Sequence, residues 1–328
     1  MSQDTPDATA ATKAPPAGMP RRGWLSGQLR NIAPFVTLLC LVLVFSLASP
    51  SFLTLDNLAN ILHQVSVTGI IATGLTFVIL CAEIDLSVAS IANVPLPGWA
   101  AIALALAGCF ALGIINAFGV TRIGIPSFIM TLAMLQIGAG ICAMLVRGQI
   151  AYAVPPLVKT LGSGSSGPVP WIVIVAAVIL LGGHLVLTYT RFGRYVYMVG
   201  GNREAAEYSG VNVKAVLAAV MIISAVCSGI AGMLGVAYFG SAQQNEFDDF
   251  LLNSISAVVV GGTSLFGGRG GIGNTLVGLF VLGVLNNGLD LVEIDSFLKI
   301  LIRGLILLAA LIINVYAQRL RSASVATE

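Results

Sequence analysis

The chain has 328 residues, 57% of them hydrophobic and only 9% charged, with 16 basic and 14 acidic side chains and a net charge of +2. An ordinary soluble domain carries about 25% charged residues, so this chain has too few to cover a soluble surface. That excludes large soluble domains, nucleic-acid binders and disordered scaffolds. What remains is an all-α polytopic membrane protein, and its 37 glycines suit helices whose backbones approach closely in lipid.

Residues 1–22 are small, polar and proline-containing, and read as a disordered tail. A span needs about 20 apolar residues, and the candidates in chain order are 32–49, 61–81, 98–120, 126–146, 170–190, 215–239, a shorter 250–266, 271–291 and 297–317. Ser46-Leu47-Ala48 resembles a signal-cleavage site, but the first apolar run is long and far from the start, which favours an uncleaved span. The domain plan is therefore a tail over 1–31, a membrane domain over 32–317 and a short tail over 318–328. Cys40, Cys81, Cys109, Cys142 and Cys227 lie in or beside apolar runs without a C-x-x-C pair, and read as small buried hydrophobes. Two histidines far apart, His63 and His184, give no metal-ligand pattern.

Basic residues orient the chain. Arg21, Arg22 and Arg30 put the N-terminus in the cytoplasm, Arg319 and Arg321 put the C-terminus there, and Arg191, Arg194, Arg203 and Lys214 do the same for the loop 191–214. The acidic stretches Glu246 to Asp249 and Asp290 to Asp295 suit the outside. Five candidate spans precede the loop 191–214, and an odd count would leave it outside. The first half is therefore one crossing short or contains a segment that does not cross. The suspect stretch is 82–97, with Glu83, Asp85, Pro95 and Pro97.

Gly268-Arg-Gly270-Gly-Ile-Gly273 spells G-x-G-x-x-G, with Asp290 about 20 residues on. A membrane span follows where a nucleotide fold needs alternating strands and helices, so the glycines read as a tight turn that breaks the helix before 271. No cofactor is called for. In the basic loop, Glu204 to Ser209 favours a short helix that Asn202 can cap and Gly210 can end. Rigidly joined to a span on each side, such a helix could dock a partner; the plainer reading is a solvated loop. Glu83 and Ile84-Asp85-Leu86-Ser87 place ionisable groups at a break in an apolar run, where they line a pathway or lie at the cytoplasmic surface. Val258 to Gly268 repeats that layout, and two discontinuous segments in corresponding halves point to a midplane pathway. Asn116, Gln136, Asn253, Asn286 and Asn287 bond between helices or meet a polar solute. Lys299 and Arg303 share a helix face, placed to snorkel or to pair with acids.

Taken together these residues resemble the permease subunits of bacterial ABC importers for monosaccharides, of the ribose, xylose, arabinose and rhamnose type. The marks are Ile84-Asp85-Leu86-Ser87-Val88, Ile125-Pro126-Ser127-Phe128-Ile129, Arg191-Phe192-Gly193-Arg194 leading to Gly200-Gly201-Asn202, Glu204-Ala205-Ala206 with Gly210, GGTSLFGGRG over 261–270, and Leu285-Asn286-Asn287-Gly288-Leu289. The resemblance covers 32–317 and implies about eight to ten spans in two pseudo-repeated halves, one first-half span being missing or re-entrant.

It also implies an ATPase-coupling loop of Gly200, Gly201, Asn202, Glu204, Ala205, Ala206 and Gly210, while the two breaks and the polar residues in the spans offer a translocation pathway drawn from Asp85, Ser87, Asn116, Thr263, Ser264, Asn286 and Asn287. The implied partners are a second permease chain, identical or different, a cytoplasmic ABC ATPase, a periplasmic sugar-binding protein and the lipid bilayer of a bacterial inner membrane. Two departures stand out. Ala82 and Glu83 occupy places where the family usually has glycines, and the family's further span after Ile-Asp-Leu-Ser is absent. Rival readings are an energy-independent channel or facilitator for small polar solutes, and an intramembrane enzyme using Asp85 with another acid such as Asp290.

Overall fold

A computed structural model gives the fold, describing residues 22–87, 99–146, 156–167, 169–240 and 248–325. The described helices are α1 (Arg22–Ala48), α2 (Leu55–Leu80), α3 (Trp99–Phe118, extended by a π-turn over Gly119–Ile123), α4 (Ser127–Val146), α5 (Pro156–Ser163), α6 (Trp171–Tyr189), α7 (Arg191–Gly201), α8 (Arg203–Tyr208), α9 (Val213–Phe239), α10 (Asp248–Val260), α11 (Ile272–Leu291) and α12 (Ser296–Val325). Between α5 and α6 one two-residue antiparallel ladder joins Ser165–Ser166 to Val169–Pro170.

Six of the helices are long and apolar enough to cross a membrane: Leu55–Leu80, Ile102–Ile123, Ser127–Met144, Trp171–Tyr189, Val213–Phe239 and Ile272–Leu291. α2 is the axis, buried from Val65 to Leu80, with α9 and α11 against it and α3 against α9. The outer helices turn large apolar side chains outward, among them Leu43 on α1, Leu104 on α3, Ile137 on α4, Leu181 on α6 and Leu301 on α12. In water such faces would be costly. Against lipid tails they are not, because the surroundings are as apolar as the side chains.

Three expected boundaries shift. α1 starts at Arg22, inside the expected tail, and α12 runs to Val325 through most of the other. The span expected over 250–266 stops at Val260, because Gly262 takes φ +103°, where a helix cannot continue. Its 13 residues rise about 20 Å, short of the roughly 30 Å hydrocarbon core. Cys40, expected in the interior, is exposed on α1, whereas the other four cysteines are buried.

Side-chain contacts give each helix a direction. Gly113 of α3 meets Ile222 and Ala225 of α9 while Cys109 meets Gly229, so the two run antiparallel. Phe45 packs on Gly288, and Lys299 pairs with Asp290. With these directions Arg22, Arg30, the loop 191–214, Arg319 and Arg321 fall at one end of the bundle, the basic end, and Ala48, Leu55 and Leu291 fall at the other. The odd crossing count is thereby explained. Ser87 bonds Asn116 near the basic end of α3, and Trp99 begins α3 some 25 Å away along its axis. Ser87 and Trp99 thus lie toward opposite ends of the bundle, with residues 88–98 between them. Pro95 and Pro97 lie there, outside the described residues.

The two halves share a device. α2 ends with Ala82 N donating to Ile79 O and Glu83 N to Val78 O; α10 ends with Gly262 N donating to Val259 O and Thr263 N to Val258 O. Both are Schellman ends with a left-handed residue at the same place, Ala82 at φ +58° and Gly262 at φ +103°.

Candidate functional site

At the basic end three segments meet through their backbones: the break after α2, the α7–α8 loop and the break after α10. The Gly268 amide donates to the Leu80 carbonyl oxygen at 2.9 Å. Gly200 lies so close that a Cβ there would overlap that same oxygen, and Gly201 packs on Gly268. Tyr197 of α7 donates its hydroxyl to the Gly270 carbonyl at 2.9 Å, and burial pushes the phenol above its usual range. Arg203 completes the junction. Its guanidinium donates to the Cys81 carbonyl at 3.3 Å and pairs with the Glu83 carboxylate, which is only 8% exposed. Burial, with the nearby Glu83 charge adding to it, pushes the Cys81 thiol up to about 12, so it stays protonated.

α8 projects from this junction. Asn202 Oδ1 accepts from Ala205 N at 3.0 Å, capping the start, and Gly210 at φ +80° closes a Schellman end, with its amide on Glu207 O and that of Val211 on Ala206 O. Ala206 is buried against the bundle while Glu204, Glu207 and Tyr208 face outward, Tyr208 at 92% exposure. All seven residues expected in the coupling loop lie within this one capped turn and the glycine pair before it.

The residues expected along a pathway separate into four places. Asp85, Ser87 and Asn116 form one fully buried network: Asp85 Oδ1 accepts from Ser87 Oγ at 2.6 Å and Ser87 Oγ accepts from Asn116 Nδ2 at 2.9 Å. Thr263 and Ser264 hold the second break, Thr263 Oγ1 accepting from Gly271 N at 3.3 Å and Ser264 Oγ from Phe266 N at 3.3 Å. Asn287 exchanges two 2.8 Å amide bonds with Asn57 near the opposite end. Asn286, its neighbour, faces elsewhere and accepts from Arg303 Nε at 2.8 Å.

Asn286 lines a partly open cavity of about 240 Å³ between α2, α9, α10, α11 and α12, in the half of the bundle away from the junction. Its α2 wall, His63 to Thr68, lies about 18–26 Å along the helix from Leu80. The His63 ring stacks on Tyr238 at 5.0 Å. Of the polar wall residues, Asn253 and Asn286 had been singled out in the sequence and Gln64 had not. Gln136, read with them, is exposed on the outer face of α4. The sequence does carry a signal for the α10 wall, since Asp249, Asn253 and Ser256 recur at i, i+4 and i+7, one face of a helix.

A family model described as branched-chain amino acid transport system / permease component matches residues 57–311. The chain belongs to this permease family. The ribose import permease protein of Escherichia coli (strain K12) is 35% identical over 308 residues, 89% of this chain and 95% of the relative. The D-allose transport system permease protein of the same organism is 34% identical over 295 residues, covering 85% and 90%. Its xylose transport system permease protein is 29% identical over 372 residues, covering 89% and 94%. That last alignment is longer than the 328 residues of this permease, so the relative holds residues with no counterpart here. No solved structure matches the chain significantly.

Proposed function

We propose that this permease is the membrane-spanning subunit of an ATP-driven importer for a monosaccharide or polyol in a bacterial inner membrane. ATP is hydrolysed on a separate cytoplasmic chain. A second permease chain completes the pathway, and a periplasmic binding protein delivers the solute. The basic end is cytoplasmic, in keeping with where arginine and lysine collect in membrane proteins.

The observation that carries this reading is α8: a six-residue helix capped at both ends, presenting Tyr208, and fastened through Gly200 and Arg203 to the breaks of both halves. A push delivered to α8 by a moving ATPase reaches both discontinuous segments without crossing a flexible joint. The bundle then exchanges outward- and inward-open populations, driven by the difference in ATPase binding to the two states. Ligands named by the relatives support the substrate class, those names being ribose, allose and xylose.

The test is uptake of radiolabelled D-ribose, D-xylose and D-allose by cells expressing the permease with its ATPase and binding protein. Uptake is expected to need ATP and to disappear in Glu204→Arg with the chain still in the membrane. Sugar flux through vesicles holding the permease alone, unaffected by Glu204→Arg, would instead establish an energy-independent facilitator.

A further inference from the structure

The cavity away from the junction holds chemistry that the coupling device does not use. Its walls include three carboxamide residues from three helices, Gln64 on α2, Asn253 on α10 and Asn286 on α11, together with the stacked His63 and Tyr238 rings. A carboxamide both donates and accepts, which suits hydroxyl groups of either sense, and an aromatic ring suits the C–H face of a sugar. The charges at the cavity compensate each other. Arg303 lies 4.0 Å from Asp249 and spends its Nε on Asn286, and Lys299, beside the cavity, pairs with Asp290. Two acids and two bases therefore leave no surplus positive charge to favour an anionic solute over a neutral one.

A second hollow of about 160 Å³ shares Asp249, Asn253 and Arg303 with the first and continues to Ser256 and Gly304, between α10 and α12. Asn253 therefore borders both hollows. It lies about 10 Å along α10 from the helix end at Val260, where the second break begins.

We propose that this pair of hollows is a binding station for one neutral polyhydroxylated solute, with Asn253, Asn286 and Gln64 holding its hydroxyls and Asn253 the point of exit toward the break after α10. The proposal rests on the importer reading and adds to it a site within one permease chain, a preference for uncharged sugars and a direction of travel. A volume of about 240 Å³ is enough for one monosaccharide ring.

The deciding experiment measures uptake of radiolabelled D-ribose, D-xylose and D-allose, and ATP hydrolysis, in the assembled transporter. Asn253→Leu is expected to lower uptake about tenfold, the loss of one or two solute hydrogen bonds, with ATP hydrolysis and membrane abundance kept within about twofold; Asn253→Gln should restore part of the uptake. Uptake unchanged in Asn253→Leu overturns the station and leaves the importer standing. A wild-type assembly that moves none of the three sugars overturns the importer reading and the station with it. Should Asn253→Leu fail to accumulate, Asn253→Cys in a Cys40→Ser chain decides: its alkylation by a small maleimide slows several-fold with the transported sugar present, and an unchanged rate overturns the proposal.

Discussion

The two ends of the bundle are built on opposite principles. At the basic end, contact is made by backbone: Leu80 O, Gly200 and Gly268 touch with no side chain between them, and glycines are used because any Cβ would overlap. In the other half, rotatable amides and rings line about 240 Å³ of space. Backbone packed on backbone has no rotamer to absorb a displacement, so it passes motion on. Amide side chains around a hollow adjust to whatever enters. A driven transporter needs stiffness where force arrives and compliance where the solute rests, and this fold places the two about 20 Å apart along α2.

The contrast breaks most sharply at Gly200. Gly200→Val drives a side chain into the Leu80 carbonyl, and overpacking against fixed backbone is expected to cost about 3 kcal/mol or more. Uptake should be lost altogether, with a large drop in the thermal midpoint of the purified chain. Wild-type uptake in that variant would show the junction to be soft. Next in size is the Arg203–Glu83 ion pair of the junction. Glu83→Gln releases Arg203, and because the arginine is about half exposed the stability loss is only about 1 kcal/mol. Coupling should suffer more than stability, with uptake falling about tenfold while ATP hydrolysis persists. The exchanged pair Glu83→Arg with Arg203→Glu should recover part of it. Equal losses in uptake and hydrolysis would make the pair a fold contact only.

How legible this was in the sequence depends on how local the determinants are. α8 could be read almost completely, because Asn202 and Gly210 sit at the two ends of one short helix and their cap chemistry acts within a few residues. The two breaks were legible as a repeated layout, and their shared Schellman ends account for it. The junction was not legible, since its central acceptor is the Leu80 carbonyl, and a carbonyl carries no residue-type signature. The expected pathway drew on the two breaks and on polar residues in the spans, and residue type does not say which way a side chain faces. Asn286 and Asn287 are neighbours in sequence, yet about 100° of helix rotation per residue sends one to the cavity and the other to Asn57. Nor could the crossing count be closed from composition, because 82–97 carries no apolar run of span length.

The smaller effects sharpen the same contrast between side-chain and backbone construction. Asn57→Leu leaves the Asn287 amide buried without its partner and should cost about 1–2 kcal/mol, whereas Asn57→Leu with Asn287→Leu should return to within about 1 kcal/mol of the starting stability and transport normally. A stable double variant that transports nothing would put Asn287 on the solute's route after all. The smallest effect is expected at Ala82, whose φ of +58° is a left-handed conformation that costs an L-residue about 1–2 kcal/mol. Ala82→Gly removes that strain but adds about 0.5–1 kcal/mol of unfolded-state entropy, so the thermal midpoint should rise by only about 1–2 °C. Glu293→Gly, at φ +56° beyond the far end of α11, supplies the control away from the junction. If Glu293→Gly stabilises while Ala82→Gly destabilises, the Ala82 methyl packed beneath Gly267 must outweigh its own backbone strain. The junction would then be held by side chain as well as by main chain, and the division between a stiff end and a yielding end would be less clean than its glycines suggest.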